Sequence, residues 1–280
     1  MPLMFRSFIF LLVVISLTAC SSSRKSAFKS TNKIYFKKAD SVASVIVAQP
    51  VVEPVKAESL KVPEDWAGTT NFGLRKPNMV IIHHTAQDSC GQTLRTFTLE
   101  RTQVSAHYVI CKDGTLNHML NDYLRGWHAG NSQWGSNTDI NSSSIGIEID
   151  NNGFADFTGA QLNTLLGLLK HLKEAYRIPA ENFIGHGDIA PGRKVDPQVK
   201  FPWKILADSG YGIWYDTTGI QVPQAFDERV ALRLIGYDIR NLTASVEAFR
   251  RHFMGYETKG MLTNDERKVL QALVKKVAAL

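Results

Sequence analysis

The sequence predicts an α/β domain with a central mixed β-sheet flanked by helices, followed by a small three-helix domain. Three observations carry this reading. Short apolar runs of strand length alternate along the chain with segments of helical periodicity. Residues 144–150 alternate cleanly, with Ile145, Ile147 and Ile149 on one face and Gly146, Glu148 and Asp150 on the other. The histidines and carboxylates able to do chemistry stand at the ends of these runs or in a Gly- and Pro-rich loop.

Taken in order, residues 1–20 lie outside the fold. Arg6 precedes a short apolar stretch, Phe8 to Leu17, too short to span a bilayer and suited to a secretory signal. It ends Leu17-Thr18-Ala19-Cys20, which resembles a bacterial lipobox in which Cys20 is acylated; an ordinary signal peptide containing a cysteine is the alternative. Residues 21–61 read as a basic flexible tether. Residues 1–61 hold nine Lys or Arg against three acids and so carry the whole formal charge of +6. Residues 62–280 hold 23 of each sign, so the high pI is no argument for nucleic-acid binding by the globular part. A basic tether suits an anionic membrane surface, and equally a solvated linker. Within it, Val42 to Val52 has the composition of an edge strand.

The catalytic domain is expected over 62–218. Met79 to Ile82 is a buried strand ending at His83, Cys90 to Arg101 has helical spacing, and His107 to Cys111 is a strand. Lys112-Asp113-Gly114 turns that strand into a hairpin partner, Leu116 to Leu120. The strand at 144–150 follows. Leucines at 162, 165, 166, 169 and 172 then stripe a helix from Gly159 to Tyr176 that Pro179 ends. Phe183-Ile184 leads a last strand into His186. Cys90 and Cys111 remain in an exported, oxidising compartment, either as a disulfide or as buried thiols. Over 219–280, three helices are expected at Ala225–Ile235, Leu242–Phe253 and Asn264–Val277, with Thr263 and Glu266 forming a capping box for the last.

The chemistry concentrates in HGDIAPGRKVDP, residues 186–197, where His186, Lys194 and Asp196 share one loop, and in the pair His83-His84. Two histidines and a carboxylate are the usual protein half of a catalytic zinc site, with the fourth position left for water. Glu148, on the strand face opposite the isoleucines, supplies an acid/base. Lys194, two residues before Asp196, shares its side in an extended chain and can neutralise a developing oxyanion. A zinc protease of the H-E-x-x-H kind is disfavoured because that motif is absent.

IIHHTA, SAHYVI, WHAG, SIGIEID and HGDIAPGRKVDP occur in the order and spacing of the zinc-dependent N-acetylmuramoyl-L-alanine amidases, the group related to T7 lysozyme and the peptidoglycan-recognition proteins. The resemblance covers about residues 65–215. It implies an amidase/recognition-protein-like fold and one Zn²⁺ held by His83, His186 and Asp196. Glu148 would be the general base and then proton donor, with Lys194 stabilising the tetrahedral intermediate. The implied substrate is peptidoglycan or its muropeptides, cut between N-acetylmuramic acid and L-Ala. Of the adjacent histidines, His83 is assigned because the apolar strand ends in phase with it and the family uses the first position. Tyr108, Trp127, His128 and Trp134 are expected in the substrate groove, and His107 in a structural role. Residues 219–280 resemble the three-helix peptidoglycan-binding module of related amidases, with a helical layer packed on the amidase body as the alternative. A non-catalytic muropeptide receptor of the same fold would lack a ligand that this chain keeps. The lipobox implies an exported, lipid-anchored protein, and Ser21 rather than Asp after Cys20 points to the outer membrane facing the periplasm.

Overall fold

The computed structural model describes residues 27–48, 74 and 76–280, so the lipobox and Cys20 lie outside the described residues. The chain divides into two compact units, Met1–Thr70 and Asn71–Leu280.

In the first unit, helix α1 (Lys29–Ala48) lies within the expected tether of 21–61 and replaces the edge-strand reading of Val42–Val52 over its part up to Ala48. Residues 49–52 lie outside the described residues. No Gly or Pro interrupts 29–48, and its alanines and lysines are good helix formers, so local propensity outweighs the β-branched run near its end. Among the described residues no helix is long and apolar enough to cross a membrane.

The second unit is built on five strands: β1 (Met79–His84), β2 (Tyr108–Ile110), β3 (Leu116–His118), β4 (Ser144–Ile149) and β5 (Phe183–Gly185). They lie in the order β3-β2-β4-β1-β5. β4 pairs in parallel with β1 and β2, β1 in parallel with β5, and only β2–β3 is antiparallel, which gives the expected mixed sheet. Because side chains alternate, each strand serves both faces. One face carries Val80, Ile82, Tyr108, Ile110, Ile145, Ile147 and Ile149 against the leucine stripe of α4 (Gly159–Tyr176). Thr158 and Gln161 close a capping box at its start, and Arg177 in left-handed conformation ends it. The other face carries Met79, Ile81 and Ile184, with Ala129, Ile140, Ile189 and Ala190 packed on them. His83 sits opposite Glu148 in register and belongs to this second face.

Helix α2 (Cys90–Thr98) is capped by Ser89 and followed by a 3₁₀ turn at Glu100–Thr102, shorter than the expected run to Arg101. Cys90 and Cys111 are joined as a disulfide, their Cα atoms 5.3 Å apart, which tethers α2 to the end of β2. Short helices α3 (Ile140–Ser143), α5 (His186–Ile189) and α6 (Trp203–Asp208) complete the body.

The C-terminal segment forms α7 (Glu228–Ile235), α8 (Leu242–Phe249) and α9 (Asn264–Ala278). Asp227 caps α7, which therefore starts later than Ala225. A π-turn at Arg250–Met254 ends α8 before Phe253. The capping box of Thr263 and Glu266 is present. Leu232, Ile235, Tyr237, Phe249, Leu270 and Leu273 form a separate apolar cluster. These helices nevertheless share one compact unit with the sheet. Tyr237 and His252 reach into the body to hydrogen-bond Asp188, and the His252 ring stacks on Trp203 at 4.0 Å.

Candidate metal centre and active site

Three ligand atoms from distant parts of the chain converge at the C-terminal ends of β1 and β5. His83 Nδ1 lies 2.9 Å from His186 Nδ1 and 3.1 Å from Asp196 Oδ2, and His186 Nδ1 lies 3.0 Å from the same carboxylate oxygen. All three residues are buried. His83 is placed by the apolar strand that precedes it, every residue of which is buried. His186 opens α5 directly after β5; here Gly185 donates its N–H to Asp188 Oδ2 at 3.0 Å. A Cβ at Gly185 would stand 2.8 Å from that oxygen, so the tight turn excludes a side chain. Asp196 is brought back by the hydrogen bond from Gly187 N–H to its carbonyl, 2.6 Å.

The chemistry of this donor set fits a divalent cation such as Zn²⁺. His186 Nε2 lies 3.2 Å from the carbonyl of Ala129, which can only accept, and 3.4 Å from Arg193 Nη2, which can only donate and already donates to that carbonyl at 2.6 Å. With the carbonyl the nearer contact, Nε2 donates and Nδ1 presents a lone pair to the centre. Burial, with His186 next, pulls His83 down to about 4, so its ring is neutral at pH 7. Burial alone would raise Asp196, but the two imidazoles facing it hold it well below the usual carboxylate range. Two imidazole nitrogens and a carboxylate at this spacing form a ligand set.

Glu148 stands beside them, its Oε1 4.0 Å from His83 Nδ1. Burial, then the nearby Asp196 charge, pushes its carboxyl up to about 8, against an opposing pull from Lys194. Among the described residues nothing hydrogen-bonds its buried Oε2. A carboxyl held near neutrality with an open oxygen is suited to take and return a proton. Lys194 is half-buried, and its charge acts on both Glu148 and His83. The structure thus brings His83, His186, Asp196 and Glu148 together, with the Lys194 charge acting on Glu148 and His83. His84 faces the other way, accepting the N–H of Gln198 at its Nδ1, 3.1 Å.

The groove expectations fare differently. Tyr108 points into the opposite face, donates to Asp122 and stacks on His118, so it is a core residue. Trp134 packs on Tyr237 and covers Gly236, where a Cβ would meet it at 2.3 Å; it joins the C-terminal helices to the body. His128 is buried behind His83, Nδ1 to Nε2 3.2 Å, and burial holds its pKa far down. Trp127 alone of the four is substantially open, 42% exposed. His107 is structural as expected: its Nε2 donates to Leu124 O and its Nδ1 accepts the Gly146 N–H, both at 3.0 Å. Sequence reasoning missed Asp188 and Asn141, single polar residues in the short helices α5 and α3, and Ser144, which opens β4 on the same face as Glu148.

Comparison with known proteins agrees with this geometry. Residues 73–199 match the family described as N-acetylmuramoyl-L-alanine amidase. The chain is 32% identical over 230 residues to the N-acetylmuramoyl-L-alanine amidase AmiD of Escherichia coli (strain K12), covering 71% of this chain and 82% of that protein. It is 40% identical over 101 residues to the 1,6-anhydro-N-acetylmuramyl-L-alanine amidase AmpD of the same organism, 36% of this chain and 55% of that one. Among solved structures, the complex of E. coli AmiD with the substrate anhydro-N-acetylmuramic acid-L-Ala-D-gamma-Glu-L-Lys superposes with a TM-score of 0.64 at 29% identity, covering 79% of this chain and 97% of that one. AmpDH3 from Pseudomonas aeruginosa in complex with anhydromuramic pentapeptide gives 0.66 at 30% identity, covering 78% and 98%.

Proposed function

This chain belongs to the N-acetylmuramoyl-L-alanine amidase family, and from that membership and the geometry above we propose that it hydrolyses the amide between N-acetylmuramic acid and L-Ala in peptidoglycan fragments, using one Zn²⁺. The observation that carries this is the convergence of His83 Nδ1, His186 Nδ1 and Asp196 Oδ2 to within 3.1 Å beside Glu148. A zinc ion held by those three residues would supply Lewis-acid polarisation of the amide carbonyl and acidify a water at neutral pH.

The chain's own groups then divide the work. Glu148, poised near neutrality, takes a proton from the attacking water and returns it to the leaving L-Ala nitrogen. Lys194 offsets the negative charge that develops on the carbonyl oxygen. Trp127, at the exposed end of its loop, is the groove candidate whose position suits contact with sugar or stem peptide. The complete ligand set argues against a non-catalytic muropeptide receptor.

Acylation at Cys20 and residence at the outer membrane, facing the periplasm, are part of the same proposal and rest on the lipobox. For residues 219–280, the contacts of Tyr237 and His252 with Asp188 support a helical layer that braces the loop carrying His186, the alternative to a peptidoglycan-binding module. Single alanine replacements of His83, His186 and Asp196 test the metal assignment. Each should abolish both zinc uptake, measured by elemental analysis, and muropeptide hydrolysis; a variant that keeps full zinc would remove that residue from the ligand set.

A further inference from the structure

The two imidazole ligands are backed by neighbouring residues of one loop. From this arrangement we propose that His128 and the carbonyl of Ala129 form an outer shell that fixes the tautomer and ring orientation of both, with Ser144 and Asn141 holding that shell in place. The inference deepens the reading of His83, His186 and Asp196 as metal ligands and rests on it.

The chain of protons can be followed from a group with no choice. Ser144 Oγ lies 2.6 Å from the carbonyl of Ile140, which only accepts, so the hydroxyl proton is committed there. Ser144 Oγ therefore meets His128 Nε2, 3.3 Å away, as an acceptor, and Nε2 carries the ring proton. A neutral imidazole protonated at Nε2 has its lone pair at Nδ1, which faces His83 Nε2 at 3.2 Å. His83 Nε2 must then be the donor, and its Nδ1 turns a lone pair toward His186 and Asp196. His186 reaches the same state by a shorter route: its Nε2 lies 3.2 Å from the Ala129 carbonyl and 3.4 Å from Arg193 Nη2, and the nearer carbonyl takes its proton. Both ligands thus present Nδ1 lone pairs to one point, an arrangement that a cation held between them and Asp196 reconciles.

The loop is held for this purpose from several sides. Asn141 Oδ1 accepts the backbone N–H of His128 at 3.1 Å and of Ala129 at 2.9 Å. Arg193 Nη2 donates to the Ala129 carbonyl at 2.6 Å. Gly146 leaves room for the His128 ring, since a Cβ there would lie 2.4 Å from His128 Cγ. His128 lies behind His83, buried and one layer from the centre, which makes it a positioning residue.

The test uses the full chain stripped of metal, with zinc affinity measured by chelator competition and histidine tautomers read by ¹⁵N NMR. In the wild type, His83 and His186 should both carry their proton on Nε2. His128→Ala should weaken zinc binding roughly 10- to 100-fold, the usual worth of an outer-shell partner, and leave His83 a tautomer mixture. His128→Asn, whose side-chain oxygen can stand where Nδ1 stood, should restore most of the affinity. Should His128→Ala not fold, Ser144→Ala provides the second reading, because loss of the acceptor releases the His128 tautomer and with it that of His83. Zinc affinity within about threefold of wild type in the folded variants, with the His83 tautomer unchanged, would overturn the inference. A wild-type chain that takes up no zinc would overturn the metal reading itself, and this inference with it.

Discussion

Replacing Glu148 by Gln should remove activity and, in the metal-free protein, add stability. The replacement keeps the shape of the side chain and deletes its charge. In the folded metal-free chain the carboxyl titrates at about 8, against an ordinary value of 4.5, because burial and then Asp196 disfavour its charged form. The folded protein therefore binds more protons than the unfolded chain between those values, and its stability falls as pH rises through that window. At pH 7 the chain has crossed some 2.5 units of the window, which corresponds to about 3 kcal/mol. Glu148→Gln escapes this loss, so the variant should exceed wild type by an amount that is small near pH 4.5 and grows to about 3 kcal/mol at pH 7. Urea unfolding of both proteins in chelator at several pH values measures it. Turnover of a defined muropeptide by the zinc-loaded variant should meanwhile fall by roughly two to four orders of magnitude, the worth of a positioned acid/base. Equal stabilities across the pH range, or a variant that turns over normally, would refute the assignment of Glu148 as a strained, buried proton carrier.

Further outcomes follow from the packing. Tyr237→Phe deletes the 2.7 Å hydrogen bond to Asp188 and should cost about 1.5–3 kcal/mol, a drop of roughly 3–12 °C in a calorimetric melt; an unchanged midpoint would contradict the bracing role. Glu266 is pushed up by burial but held down to about 2 by Arg250, Thr263 and Tyr256, so its stabilisation is complete above pH 4.5 and lost as pH falls toward 2. Wild type should lose about 3 kcal/mol across that interval, and Glu266→Gln should flatten this acid limb in pH-dependent denaturation. Replacing both Cys90 and Cys111 by Ser opens a loop with a separation of 21 residues and should cost about 3 kcal/mol in chemical unfolding.

Where the sequence was legible, a periodic pattern or a dense motif made it so. Alternation in β4 placed Glu148 on the face away from the isoleucines, and the apolar run of β1 ended in phase with His83, whose partner His84 indeed faces the other side. The groove was harder because parity does not say which face is which. Strand alternation sends His107 and Tyr108 to opposite faces, but only the sheet shows that Tyr108 faces the leucine stripe of α4. Trp134 was misplaced because its cover, Gly236 and Tyr237, arrives from about a hundred residues later. His128 stands out by its motif, yet its task depends on Asn141, which carries no local pattern, and on Ser144, whose strand parity gives its face but not its partner. The helix at Lys29–Ala48 was legible in one respect, since no Gly or Pro in that stretch breaks it, but the charge and the β-branched run near its end drew the reading elsewhere.

The central claim is tested most directly by the products of one reaction. A defined muropeptide is incubated with the zinc-loaded chain, with and without a chelator, and read by mass spectrometry. The account predicts free stem peptide beginning at L-Ala together with the released muramyl sugar, abolished by the chelator and restored by added zinc. An intact muropeptide in the zinc-loaded sample, or cleavage that survives metal removal, would contradict it.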